Sequence, residues 1–222
     1  MVFNSYIFIL AFLPLVVIGY FLINKFWNKK NGQVGLAWLL LASFLFYAYG
    51  MPVFLLLLLT SIIVNYAIVR VLTRLKQSNN KRVHVQKTVV ISGIILNLFP
   101  LIYFKYSNFL LNSVERFFKA DWEVEVALPL GISFFTFLQI AYIVDCYRDE
   151  NGFDYTLLEY AAYVAFFPKI TMGPIVLHTE IMPQFRDKHK KKVNYNNLCQ
   201  GLYSFTIGLS KKVLLADVLA KF

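Results

Sequence analysis

The residue types that could take part in chemistry fall into two stretches. Ser133, Thr136 and Gln139 recur at every third position of an otherwise apolar run, Leu128 to Val144. Three residues advance a helix by about 300°, so these groups form a slanting stripe that drifts about 60° per step. Polar side chains at membrane depth face protein or water. The stripe therefore serves either helix–helix hydrogen bonding or the wall of a polar tunnel. The second stretch, Tyr155 to Leu177, carries Pro168, Lys169, Gly173 and Pro174 in an apolar setting and ends on His178, with Gln184 soon after. His178 is either an interfacial imidazole that caps and hydrogen-bonds or a group that meets a substrate. Asp145 and Arg148 are i, i+3 neighbours placed to pair with each other. Asn65 and Asn97 read as isolated packing contacts within apolar runs.

Other catalytic signatures are missing from the sequence: there is no Gly-rich phosphate loop, no His-Glu-x-x-His and no Gly-x-Ser-x-Gly. His84 and His189 fall among basic residues and read as solvated. Cys146 and Cys199 are far apart and cannot form a metal site together. Tyrosines and phenylalanines, 14 and 22 of them, are too many for a cofactor box and read as core and interfacial belts.

Composition sets the elements that must position these groups. The 222 residues are 59% hydrophobic and 15% charged, against about 25% charged in a soluble domain. Too little charge is present to cover a water-exposed surface, which argues against a soluble enzyme, a nucleic-acid module and a disordered chain. The expected class is all-α, a polytopic transmembrane helical protein.

Six spans are expected: Ser5 to Ile23, Val34 to Tyr49, Pro52 to Val69, Thr88 to Phe104, Leu128 to Val144 and Leu198 to about Leu215. The first has no basic residue before it and Asn24-Lys25 directly after it, so it reads as a retained span rather than a cleaved signal. The +10 net charge is confined to the connections. Lys25, Lys29 and Lys30 follow span one; Arg70, Arg74, Lys76, Lys81, Arg82 and Lys87 follow span three. Only Lys105, Arg116 and Lys119 lie on the alternate side, a nine-to-three asymmetry. The positive-inside rule then puts the amino terminus outside and the basic connections in the cytoplasm, with contact to anionic lipid as a second reading of those loops.

Tyr155 to Leu177 is long enough to cross, but its prolines and glycine interrupt a helix. A crossing would also carry Arg186, Lys188, Lys190, Lys191 and Lys192 outside. A short helix, about Tyr155 to Phe167, and a re-entrant Ile170 to Leu177 keep them inside. Irregular backbone at membrane depth is tolerated against protein or a wet cavity, so the break points to a cavity.

Several blocks together carry a family resemblance. Leu128 to Gln139 (LPLGISFFTFLQ) with Val144 to Arg148 (VDCYR), Phe166 to His178 (FFPKITMGPIVLH) with Met182 to Phe185 (MPQF), and Gly208 to Asp217 (GLSKKVLLAD) resemble the membrane-bound O-acyltransferase (MBOAT) family. With Phe3 to Ile9 and Phe12 to Pro14 they are similar to its alginate-type polysaccharide O-acetylation branch, and the likeness runs over the whole chain. The resemblance implies a helix ring around a tunnel joining a cytoplasmic thioester, acetyl-CoA or another acyl donor, to an acceptor outside. In the family an intramembrane histidine assists acyl transfer to a hydroxyl. That histidine lies in a later helix, and none of the three here matches it. Leu177 also stands where relatives often carry a polar or basic residue.

The expectation is therefore residues 1–222 as the amino-terminal part of one MBOAT-type domain, with a re-entrant region at about 155–178. No catalytic residue, metal or bound cofactor is expected in the segment, which alone would be inactive. Ser133, Thr136 and Gln139 would line the tunnel, Gly173 and Pro174 would shape the turn, and His178 and Gln184 would meet the donor's polar end. Implied partners are membrane lipids, an extracytoplasmic acyl-transfer protein and a polysaccharide acceptor, at the plasma membrane and without nucleic acid. The alternatives are a transporter or flippase fragment for a glycan precursor, or an inactive truncated product.

Overall fold

The computed structural model describes residues 3–27, 33–77, 83–118, 126–149, 154–171, 173 and 176–220, with backbone alone for 110–118. Every regular element among them is helical. Helix α1 spans Phe8–Phe26, α2 Gln33–Gly50, α3 Pro52–Gln77 and α4 Val83–Phe118. These four are long and apolar enough to cross a membrane. Their outward faces stay apolar: Leu10, Leu41, Leu56, Ile95 and Phe99 are all exposed. Large apolar side chains exposed on each of these helices suit lipid and not water.

The fifth and sixth expected spans are also helical. Helix α5, Ile132–Arg148, has 17 residues, or about 25 Å of rise. Its start corrects the sequence expectation: Leu128–Leu130 are not helical and Gly131 turns the chain at φ 72°. Only then can Ile132 begin the helix, because an L side chain rarely adopts that backbone conformation. The short helices α6, Leu157–Ala165, and α7, Phe167–Ile170, follow. After α8, His178–Arg186, comes α9, Tyr195–Ser210, whose helical path continues through a π-turn, Lys211–Ala216, to Leu219. Asn194 caps α9 by accepting from the N–H groups of Asn196 and Asn197.

The residues form two compact units, 1–39 with 183–222, and 40–182. In the first, the Trp38 indole donates to the Val16 carbonyl at 3.0 Å, and Phe8 meets Phe205 at 6.4 Å between ring centroids. In the second, α3, α4 and α5 pack together, with α6 against α3 and α5. Its core includes Leu58, Ile62, Val69, Phe135, Leu138, Tyr142 and Ile143.

Candidate functional site

The second unit holds an arm that travels out and back along α5. It departs beside the Asp145 end of α5 and begins with a capping box. The Thr156 hydroxyl accepts from the Glu159 N–H at 3.3 Å, and the Glu159 carboxylate accepts from the Thr156 N–H at 2.9 Å. These bonds satisfy two donors that α6 would otherwise leave open. Tyr66 anchors the same point by donating to the Tyr155 carbonyl at 3.2 Å.

At the far end, α7 lies under the turn that starts α5. A methyl group at Gly131 would stand 2.1 Å from the Ile170 carbonyl oxygen, so only glycine allows this approach. The Phe167 N–H donates to Ser43 at 3.1 Å, and Phe167 packs on Phe46 at 5.6 Å. Tyr47 donates to the Leu130 carbonyl at 3.0 Å. From Gly131 to Asp145, α5 rises about 21 Å. That is the depth of the arm.

Beyond α7, the described residues Gly173, Val176 and Leu177 are not helical. Gly173 donates to the Lys169 carbonyl at 3.1 Å, and a methyl there would meet the Lys169 Cα at 2.4 Å. The Tyr163 hydroxyl donates to the Val176 carbonyl at 3.3 Å, holding Val176 against α6. His178 then arrives at the end of α5 where the arm began.

His178 is wholly buried there. Its Nε2 lies 3.3 Å from Asp145 Oδ2, and Nδ1 lies 3.5 Å from the Tyr155 hydroxyl. Tyr142, Tyr155 and Tyr163 surround the imidazole edge-on. Burial pushes its pKa below the ordinary histidine value, and the charge and hydrogen bond of Asp145 oppose that shift. Asp145 therefore pairs with His178, whereas the sequence suggested Arg148. A neutral imidazole between a carboxylate and a phenol can accept or pass on a proton.

Midway along the arm, Gln139 is completely buried and bonded at both ends. Its amide nitrogen donates to Ser61 at 3.0 Å, and its carbonyl oxygen accepts from Ser61 and Tyr160, each at 3.4 Å. Asn65 donates to the Ser61 carbonyl at 2.9 Å, while Asn65 and Asn97 exchange amide hydrogen bonds at 3.0 and 2.5 Å. A hydrogen-bonded chain thus runs from α6 through α5 and α3 to α4. Asn65 and Asn97 are partners, not the isolated groups that the sequence suggested.

Of the expected site residues, Thr136 is buried on α5 and Ser133 half-buried. Gln139 on α5 and His178 at the start of α8 lie at two levels beside the arm, and the Gly173 backbone packs closely on Lys169. Pro174 lies outside the described residues. Gln184 belongs to the first unit, where it is exposed and accepts from Lys190 at 3.0 Å. Sequence reasoning missed Ser61, Tyr155 and Lys169. A lone lysine in an apolar stretch was the available signal for the last. Among the described residues no three His, Cys, Asp or Glu side chains group as metal ligands would.

Comparison with known proteins decides the lineage. The model of the MBOAT, membrane-bound O-acyltransferase family, matches residues 2–222. The chain belongs to the membrane-bound O-acyltransferase family. It is 38% identical to a peptidoglycan O-acetyltransferase of Helicobacter pylori, across 100% of this chain and 46% of that protein. It is 32% identical to the probable alginate O-acetylase AlgI of Pseudomonas aeruginosa, across 99% of this chain and 41% of that protein. The chain thus spans less than half the length of these MBOAT relatives. No solved structure gives a significant match.

Proposed function

We propose that this chain forms the donor-side part of a membrane O-acetyltransferase, which takes an acetyl group from a cytoplasmic thioester and delivers it to an exported polysaccharide. The observation that supports this reading most directly is the arm pinned at both ends, Tyr155 and His178 at one and Ile170 under Gly131 at the other. An arm about 21 Å deep fits a route from one face toward the other. Irregular backbone of this kind is stable in a membrane where it abuts protein or water.

In this reading the Asp145 end faces the cytoplasm, following the basic connections after α1 and α3. His178 meets the donor's polar end, and Gly173 helps shape the turn. Ser133, Thr136 and Gln139 border the passage. The acceptor belongs to the class named for the relatives, a cell-wall or exported glycan, reached through an extracytoplasmic partner.

The test uses the intact membrane protein in sealed vesicles, supplied with labelled acetyl-CoA on the cytoplasmic face. Label on a glycan acceptor at the opposite face is expected. Alanine at Gln139 or His178 should reduce that transfer at normal membrane abundance. Movement of an unmodified glycan precursor without label would replace this reading with transport.

A further inference from the structure

Lys169 is the one buried lysine or arginine among the described residues, with 5% of its surface exposed. Its backbone is fully used: the N–H donates to the Phe166 carbonyl at 3.0 Å, and the carbonyl accepts from Gly173 at 3.1 Å. Its Nζ, by contrast, has no hydrogen-bond partner among the described residues. It sits 3.8 Å above the centre of the Tyr163 ring, whose own hydroxyl is committed to Val176. The ring face offers a cation–π contact but no lone pair for the three N–H donors.

A buried ammonium with unused donors is costly to fold. An ionisable group at membrane depth is therefore a mark of function. Its place in the fold narrows what it holds. The Lys169 backbone lies at the Ile170 end of the arm, and its side chain reaches Tyr163 on α6. The Tyr163 ring centre is 6.3 Å from that of His178, so the ammonium lies within about 10 Å of His178, enclosed by protein. A coenzyme A thioester carries its phosphates and its acyl group at opposite ends of a long pantetheine arm. With the charged end of the donor outside in water, the uncharged thioester is the part that can enter a site this enclosed. A single cation in an apolar setting suits one carbonyl oxygen, not a cluster of phosphates.

We propose that Lys169 binds the carbonyl oxygen of the acyl thioester during transfer, an assignment that rests on the acetyltransferase reading above. The acceptor hydroxyl oxygen bonds to the carbonyl carbon, and the carbonyl π pair moves onto oxygen. That oxyanion accepts a hydrogen bond from the Lys169 ammonium. Its collapse restores the carbonyl and breaks the carbon–sulfur bond, and the proton lost by the hydroxyl ends on the departing thiolate. A donor already in place in a dry site needs no reorganisation as charge develops.

The experiment compares wild type, Lys169→Met and Lys169→Arg in the intact membrane protein, reading thermal unfolding in detergent alongside acetyl transfer from acetyl-CoA. Methionine keeps the length and apolar stem but removes the charge. The unfolding midpoint should hold or rise, KM for acetyl-CoA should stay within about twofold, and kcat should fall about 100-fold or more. Arginine should recover part of the loss. A lower midpoint for Lys169→Met would mean that the ammonium has a structural partner, and would overturn the assignment. Wild-type kcat, or a change in KM alone, would overturn it too, while leaving the acetyltransferase reading intact. A wild type that transfers no acetyl group would sink both.

Discussion

His178 Nε2 lies 3.3 Å from Asp145 Oδ2 across a separation of 33 residues, which closes the arm onto the end of α5. The imidazole is fully buried, whereas the Asp145 side chain is 34% exposed. Such a bond ties His178, at the start of α8, to the end of α5. Removing either partner should cost about 1–2 kcal/mol, the lower part of the range for bonds to charged groups because water reaches the carboxylate. Asp145→Asn, His178→Ala and the double variant form a cycle readable by thermal unfolding in detergent. The double variant should lose less than the sum of the singles. Full additivity would mean that the contact couples nothing.

The same histidine predicts a pH dependence. Its folded pKa is lowered by burial despite Asp145, so the folded state binds fewer protons than the unfolded state at mildly acid pH. Stability is then fully present above the unfolded value of about 6.5 and declines as pH falls from there toward the folded pKa. Melting midpoints between about pH 7.5 and 5 should show that decline. His178→Asn should flatten it. An unchanged slope in that variant would assign the effect to other groups.

Gly131 is required twice over, by its φ of 72° and by the Ile170 carbonyl oxygen that a methyl would approach to 2.1 Å. Gly131→Ala should therefore destabilise by more than the 1–3 kcal/mol typical of a strained backbone alone. It should also push α7 away from α5, because a backbone oxygen cannot rotate aside as a side chain would. Limited proteolysis within 166–177 should quicken in the variant. Unchanged cleavage would show that the arm tolerates the displacement.

Much of this arrangement was legible in the sequence, for reasons that differ by element. The spans follow from long apolar runs, a local property that no tertiary contact needs to supply. Pro168, Gly173 and the basic cluster after Arg186 told against an uninterrupted crossing; in the structure Phe166, Gly173, Val176 and Leu177 are not helical. The partners were not legible. Asp145 pairs across 33 positions, and Ser61 is 78 positions from Gln139, separations that no helical period encodes. The start of α5 was misplaced because Leu128–Leu130 is as apolar as the helix after it. Only the backbone at Gly131 marks the boundary.

The Asn65–Asn97 pair offers the sharpest separation of structural from functional polarity. Both side chains are buried, and each amide donates to the other at 3.0 and 2.5 Å. Asn65 also donates to the Ser61 carbonyl at 2.9 Å, and Asn97 to the Gly93 carbonyl at 2.8 Å. Replacing one asparagine by leucine leaves the other's buried amide oxygen without its donor, at a cost of about 1–3 kcal/mol. Replacing both removes the stranded group, so the double variant should be more stable than the sum of the two single changes predicts. Coupling between polar residues on membrane helices averages about 0.6 kcal/mol and reaches about 1.7. The fully buried reciprocal geometry points to the upper end. Acetyl transfer by the double variant should stay near wild type, because the pair lies two links beyond Gln139 in the hydrogen-bonded chain. A large loss of transfer in a stably folded double variant would instead place the whole chain from Tyr160 to Asn97 in the working passage.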